Sequence, residues 1–105
     1  MDIQKAIKGM VRKIAEEYEP ERIILFGSFA WGKPSASSDV DLLVVKNSSL
    51  AKRFRATEVE KILDVPALPV DILVRTPEEI ETRKKMGDPF INLILRKGKV
   101  LYAAK

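Results

Sequence analysis

Apolar residues show two patterns along this chain. They have helical spacing at the start and form short continuous runs afterwards. Residues 2–18 carry apolar side chains every three or four positions, which predicts an amphipathic helix with this inward stripe: Ile3, Ile7, Met10, Val11, Ile14 and Tyr18. Apolar runs at residues 22–26, 39–45 and 70–74 predict strands, and residues 100–102 predict a short last strand. The second run is apolar throughout after its two aspartates, which is typical of a strand covered on both faces.

The segments between these strands predict helices. A short helix is expected from Ser28 to about Gly32, and a longer one should follow a serine cap at Ser48 or Ser49 and continue to about residue 63. The residues of the longer helix expected to face inward are Leu50, Phe54, Ile62 and Leu63.

A capping box opens the next helix at Thr76-Pro77-Glu78-Glu79, so Glu78 and Glu79 are assigned to helix initiation rather than to catalysis. Residues 87–89, Gly-Asp-Pro, end that helix and begin a final one that continues to about residue 97. The order α-β-α-β-α-β-α-α-β predicts an α/β (α+β) fold with a small mixed β-sheet covered by helices. With 105 residues, one domain over 1–105 is expected.

Two missing residue types restrict the chemistry. The chain has no cysteine and no histidine, which excludes disulfides, thiolate catalysis, the usual catalytic triad and most zinc sites. Catalysis must therefore use carboxylate, amine, guanidinium or hydroxyl groups, and a bound metal must accept oxygen ligands, as Mg²⁺, Mn²⁺ and Ca²⁺ do. The lack of cysteine fits a cytoplasmic protein, and the apolar runs are too short to span a membrane.

The net charge of +4 favours anionic partners such as nucleotides. The basic residues fall in short groups at 52–55, 83–85 and 96–99 and do not alternate with aromatic residues as in a single-strand binding groove. Direct binding of nucleic acid is therefore not expected.

The candidate chemistry lies at the ends of three strands. Gly27-Ser28 follows the first strand, Asp39 and Asp41 begin the second, and Asp71 lies in the third. Along a strand, Asp39 and Asp41 would project from one face about 6–7 Å apart, and a cation would relieve their repulsion. If the second and third strands are neighbours, Asp71 completes a three-carboxylate cluster able to hold two divalent ions, since a lone aspartate in a buried strand is costly.

Gly27 permits a close backbone approach to a phosphate, and Ser28 and the helix it begins can donate hydrogen bonds to it. Asp71 is the candidate that orients the acceptor hydroxyl or takes its proton. Two alternative interpretations of these residues exist. Either aspartate of the second strand taken alone could serve only a turn or a strand edge. Residues 27–33 also match the start of a P-loop, but Pro34 stands where a serine or threonine is needed for Mg²⁺.

The Gly27-Ser28 pair followed by Asp39-x-Asp41, with Asp71 on a later strand, resembles the nucleotidyltransferases of the DNA polymerase β superfamily. The short chain is most similar to the minimal nucleotidyltransferases that act as antitoxin-like partners of HEPN-domain proteins. The resemblance implies that Gly27 and Ser28 hold the triphosphate of ATP or another nucleotide. It also implies that Asp39, Asp41 and Asp71 bind two Mg²⁺ ions, with Mn²⁺ as a substitute. Trp31 departs from the pattern, because many relatives have a basic residue there.

The activity implied by the resemblance is transfer of AMP to an acceptor hydroxyl, for example a tyrosine of a HEPN-type toxin, which the chain would silence as an antitoxin. Three side chains are candidates for partner contact, although core packing explains each equally well: Trp31, Phe90 and Tyr102. Two alternatives remain. A small-molecule hydroxyl could be the acceptor, with a homo-oligomer supplying the missing binding surface. Alternatively, a non-catalytic antitoxin could neutralise its partner by contact alone.

Overall fold

A computed structural model of the chain describes residues 2–64 and 66–105. Nine elements follow one another in the predicted order, which confirms the mixed α/β architecture. The helices are α1 Ile3–Tyr18, α2 Ser28–Trp31, α3 Lys52–Leu63, α4 Pro77–Lys85 and α5 Pro89–Lys97. The strands are β1 Arg22–Phe26, β2 Val40–Val45, β3 Val70–Arg75 and β4 Lys99–Ala103.

The four strands form one sheet in the order β3-β2-β1-β4. Strand β1 pairs antiparallel with both β2 and β4, whereas β2 and β3 are parallel. The end of β1 therefore meets the beginnings of β2 and β3 at one edge of the sheet, since β1 runs opposite to both of them. The residues that the sequence predicted for chemistry all lie at this edge.

Each face of the sheet covers its own apolar cluster, as the continuous apolar run of β2 predicted. Val40, Leu42 and Val44 pack on the face covered by α1 and α3. Leu43 and Val45 pack on the other face, against side chains of α4 and α5. The two faces thus use alternate residues of a single buried strand.

Helix α1 buries the predicted stripe except for its first member, Ile3, whose side chain is exposed. Its C-cap, Glu19, takes a left-handed conformation with φ 53°, and Pro20 follows. None of the helices within residues 2–64 and 66–105 is both long and apolar enough to cross a membrane.

The predictions for α3 were wrong in three respects. The helix begins at Lys52 after Ala51, which makes no side-chain cap, so neither Ser48 nor Ser49 is its N-cap. The Ser48 hydroxyl instead accepts a hydrogen bond from the Leu50 amide. Leu50 and Phe54 are exposed rather than inward, because Leu50 precedes the helix and the buried stripe of α3 begins one position after Phe54.

A charged residue occupies the inward position at the start of α3. Arg55 is buried together with Val59 and Leu63. Its guanidinium donates to the Leu50 carbonyl at 2.7 Å and to both carboxylate oxygens of Glu79, the nearer at 2.7 Å. These bonds compensate the cost of burying the charge.

The capping box of α4 is confirmed. The Thr76 hydroxyl accepts from the Glu79 amide at 3.1 Å, and the Glu79 carboxylate accepts from the Thr76 amide at 2.9 Å. The same carboxylate accepts from Arg55, so one side chain both starts α4 and ties it to α3.

Candidate active site

Gly27 connects β1 to α2 and lies directly against Asp41. Its φ of 79° is in the region that side chains other than glycine rarely adopt. A side-chain carbon at this position would also overlap the carboxylate oxygen Oδ2 of Asp41. Both the backbone conformation and the close approach therefore require glycine here.

Asp41 and Asp71 are direct register partners on the parallel strands β2 and β3. They project from the same face of the sheet, two residues before Leu43 and Leu73, which contact the cluster under α4 and α5. Asp41 is partly buried, whereas Asp71 is exposed. The expectation that Asp71 is a buried strand residue was therefore wrong, because β3 is an edge strand and its beginning is open to solvent.

The carboxylates influence each other electrostatically. Burial raises the pKa of the Asp41 carboxyl, and the negative charges of Asp71 and, to a smaller degree, Asp39 raise it further. Asp39 lies just before β2 rather than within it, and is exposed. Asp71 on the neighbouring strand therefore acts on Asp41 more strongly than Asp39, which is two residues away in sequence.

Ser28 is the first residue of the four-residue helix α2. The Gly27 carbonyl accepts hydrogen bonds from the amides of Ala30 and Trp31, at 2.9 and 3.0 Å. The amides of Ser28 and Phe29 come earlier, where a helix has no internal acceptor for them. The turn therefore presents donor groups beside the Asp41 carboxylate, which suits a phosphate that shares a cation with that carboxylate.

The residues at this edge suit a divalent cation. Carboxylate oxygens are hard ligands, and a cation beside Asp41 would offset the repulsion from Asp71 and Asp39. No three acidic side chains within residues 2–64 and 66–105 lie close enough together to enclose an ion by themselves. Mg²⁺ does not need such a cage, because it binds through one or two carboxylates, substrate phosphates and water.

Two aromatic side chains border the site, Phe90, which the sequence offered as a partner-contact candidate, and Phe26, which was not singled out. Phe26 is the register partner of Asp41 across the antiparallel pair. Phe90 packs edge-on against Phe26, with ring centroids 5.6 Å apart, and is 48% exposed. The pairing of Phe26 with Asp41 depends on the register between β1 and β2, and the position of Phe90 depends on how α5 packs.

The other two candidate contact residues differ in exposure. Trp31 at the end of α2 is 38% exposed, so its ring is available at the surface near Gly27. Tyr102 is partly buried against the apolar cluster beneath α1 and is not an exposed contact residue.

A glycine turn against one carboxylate, with a second carboxylate in register on the adjacent strand, is an arrangement that suits metal-dependent chemistry on phosphates. Residues 7–101 match the nucleotidyltransferase domain family. The chain therefore belongs to this family and is a nucleotidyltransferase.

One similar protein comes from Methanocaldococcus jannaschii and bears the name "Putative protein adenylyltransferase MJ0604". It is 31% identical over 104 residues, which cover 97% of this chain and 100% of that protein.

Two solved structures share the fold. One is described as a putative nucleotidyltransferase from Sulfolobus solfataricus, with a TM-score of 0.64 and 22% identity over 94% of this chain and 78% of that one. The other is a chain from a toxin-antitoxin structure with AMP-PNP, with a TM-score of 0.58 and 20% identity over 93% of this chain and 74% of that one.

Proposed function

We propose that this nucleotidyltransferase transfers AMP from ATP, with Mg²⁺, to a hydroxyl of a partner protein. The acceptor is a tyrosine of a HEPN-type toxin, which the chain silences as an antitoxin. The observation that carries the proposal is the placement of Gly27 against Asp41, with Asp71 in register beside it.

The phosphate-binding part of this proposal is assigned to Gly27 and Ser28. The bare backbone at Gly27 lets the triphosphate approach the Asp41 carboxylate, where any side chain would collide. The Ser28 hydroxyl and the first amides of α2 then donate hydrogen bonds to phosphate oxygens.

The metal-binding part is assigned to Asp39, Asp41 and Asp71. When bound there, Mg²⁺, or Mn²⁺ in its place, would neutralise the triphosphate and the developing charge on the leaving pyrophosphate. The raised pKa of Asp41 in the absence of a cation agrees with this assignment, because a carboxylate that is costly to ionise alone is stabilised by a cation.

The proton-handling part is assigned to Asp71, whose carboxylate is exposed and reachable by a second macromolecule. The acceptor oxygen attacks the α-phosphorus, and the bond to the pyrophosphate oxygen breaks. The proton of the acceptor hydroxyl passes to Asp71. A carboxylate can accept it because the hydroxyl becomes more acidic as its oxygen bonds to phosphorus.

A protein acceptor is supported by the names of two similar proteins. The Methanocaldococcus protein is named as a protein adenylyltransferase, and the second solved structure is a toxin-antitoxin structure with an ATP analogue. Both names fit AMP transfer within a toxin-antitoxin pair.

The test is transfer of label from ATP labelled at the α-phosphate, with Mg²⁺, to the protein encoded beside this one. The wild type is compared with an Asp39→Asn, Asp41→Asn double variant. Label on the partner with the wild type alone is the expected result.

Complex formation and neutralisation by both forms without any label would contradict the proposal and favour an antitoxin that acts by contact. Label released on a small molecule would instead contradict the protein acceptor.

A further inference from the structure

A cleft of about 770 Å³ lies on the same face of the sheet as the candidate active site, and Leu73, two residues after Asp71 on β3, is part of its lining. Leu73 and Arg75 line it and follow Asp71 on one face of the edge strand β3. Since residues two apart on a strand are separated by about 6–7 Å, Arg75 lies roughly 13 Å along the strand from Asp71. The cleft therefore lies along the edge strand β3, from Leu73 toward the carboxyl end of the strand, on the face from which Asp71 also projects.

Arg75 supplies this cleft with a positive charge. Two of the cleft's cations are used in ion pairs, Arg55 with Glu79 at 2.7 Å and Arg83 with Asp88 at 3.7 Å. Arg75 donates to the Val74 carbonyl at 3.0 Å and, among the residues described, has no carboxylate within salt-bridge distance. Burial lowers the pKa of Arg75, and the charges of Arg55 and Arg83 lower it further, against an opposing effect of Glu79.

Lys52 adds a second cation at the mouth of the cleft. It is exposed and is the first residue of α3, which has no acidic residue in its first turn and no side-chain cap. A cation at a helix N-terminus is disfavoured by the helix dipole, so Lys52 does not serve the stability of α3. Outside the two ion pairs, the described residues that line the cleft include two cations, Lys52 and Arg75, and one carboxylate, Glu78. The lining therefore carries a net positive charge.

Apolar side chains border the same cleft. Met86 is 68% exposed and Phe90 is 48% exposed, and both line it. Phe90 also contacts Phe26, so the apolar border reaches the strand position beside Asp41. A ligand that fills the cleft must therefore combine negative charge with an apolar group.

The position of the cleft separates it from the phosphate-binding turn. Gly27 lies at the end of β1, Asp41 begins the adjacent β2, and Asp71 lies on β3 beyond it. In the proposed reaction the triphosphate occupies the Gly27 side and the acceptor hydroxyl approaches Asp71. The cleft is on the acceptor's side of the reacting phosphorus.

We propose that this cleft binds an extended acidic segment of the acceptor protein and so presents a neighbouring hydroxyl to Asp71. The inference rests on the proposed transfer to a protein. Carboxylates of the segment pair with Arg75 and Lys52, and one of its apolar side chains covers Met86 and Phe90. Arg75 and Lys52 are thus determinants of acceptor specificity, not catalytic residues.

The test uses a fluorescent random copolymer of glutamate and tyrosine as the probe, and its binding is measured by anisotropy at about 0.15 M salt, where distant charges are screened. The wild type is expected to bind this copolymer and not a lysine–tyrosine copolymer of equal length. Arg75→Glu and Lys52→Glu should each weaken binding about tenfold or more, which corresponds to about 1.4 kcal/mol. Lys52 is exposed, so its variant should fold even if Arg75→Glu does not.

Lys13→Glu on the exposed side of α1 is the matched control, because it makes the same change in net charge outside the cleft. Equal weakening by Lys13→Glu and Lys52→Glu would overturn the proposal in favour of overall charge. Failure of the wild type to bind, displacement of the copolymer by ATP, or tighter Lys52-dependent binding of an RNA of equal length would also overturn it. Copolymer binding without labelled transfer would contradict the proposed function, while still showing that the cleft binds an acidic segment.

Discussion

At the scale of single residues, the position of Gly27 links backbone conformation to the candidate chemistry. Its positive φ and its contact with the Asp41 carboxylate are separate constraints, and both exclude a side chain. A second glycine, Gly87, also has a positive φ, of 77°, but a side-chain carbon there would meet no atom within 4 Å. The two positions therefore allow the two constraints to be measured apart.

We predict that Gly27→Ala reduces AMP transfer by about a hundredfold, because displacing a reacting group by about 1 Å costs that much. It should also weaken ATP binding in calorimetry. Gly87→Ala should lower the melting temperature through the backbone cost of about 1 kcal/mol and leave ATP binding unchanged. Equal ATP affinities for wild type and Gly27→Ala would contradict the assignment of Gly27 to the triphosphate.

A second prediction concerns Asp41. Because burial and the charges of Asp71 and Asp39 raise its pKa, the ionised side chain destabilises the metal-free fold at neutral pH. Asp41→Asn should therefore raise the melting temperature of the metal-free protein by a few degrees. The corresponding gain in the free energy of unfolding is roughly 1 kcal/mol or less, because solvent screens the partly exposed carboxylate. The same change should abolish transfer.

The control for this prediction is Asp39→Asn. The Asp39 side chain is exposed, and its charge raises the pKa of Asp41 less than the charge of Asp71 does. The melting temperature of this variant should change less. An Asp41→Asn protein that melts below the wild type would show that the carboxylate stabilises the metal-free fold.

At the scale of elements, Arg55 and Glu79 join α3 to α4 across the end of β3. Arg55 is buried and bonds to Glu79, Leu50 and the Val74 carbonyl, the last at 3.4 Å. Removing the guanidinium leaves the Leu50 carbonyl and the Glu79 carboxylate without their strongest donor. The loss therefore affects the starts of both helices.

Arg55→Met is predicted to lower the free energy of unfolding by about 2 kcal/mol, less than for a fully buried pair because Glu79 is partly exposed. Denaturant unfolding measures the change. Arg53→Met is the control, since Arg53 is exposed and lies over the Phe54 ring at the surface. If both substitutions lower the free energy of unfolding equally, the Arg55–Glu79 ion pair does not contribute specifically to stability.

Glu79 gives the fold a defined acid sensitivity. The hydrogen bond from Arg55 lowers the pKa of Glu79 from 4.5 to about 2, with smaller help from the Thr76 amide. Because the pKa of Glu79 is lower in the folded protein than in the unfolded chain, the ionised carboxylate stabilises the fold fully above pH 4.5. This stabilisation is lost as the pH falls toward about 2. Glu79→Gln should be less stable than the wild type at pH 7, and the difference should shrink over that range. A constant difference at all pH values would contradict this linkage.

At the scale of the whole molecule, the candidate site lies where three strands meet at one edge of the sheet. A ligand bound there contacts β1, β2 and β3 together and should stabilise the fold as a unit. Stabilisation by ligand therefore reports on the assembled site rather than on any one strand.

We predict that ATP with Mg²⁺ raises the melting temperature of the wild type. At a ligand concentration of a hundredfold over Kd, the free energy of unfolding should rise by about 2.7 kcal/mol. Chelation of the metal should remove most of the shift. An Asp41→Asn, Asp71→Asn double variant should show little shift with or without metal. A full shift in the presence of chelator would argue against a metal shared by carboxylates and phosphates.

Local sequence signals determined most of the elements. The Thr76–Glu79 capping box, the apolar stripe of α1 and the continuous apolar run of β2 depend on neighbours within a few residues, and all three were predicted. The start of α3 was misplaced because serines at 48 and 49 offered a plausible local cap, whereas the burial of Arg55 toward Glu79 defines the inward face.

The sequence by itself determined the order of elements, the restriction of any bound metal to oxygen ligands, and the residue types of the candidate site. The tertiary structure alone decided that Asp41 and Asp71 are register partners, that Gly27 touches Asp41, and that the cleft with Arg75 lies beyond Asp71. The physical reason is that strand order and register depend on contacts between segments far apart in sequence, while caps and periodicity depend on neighbouring residues.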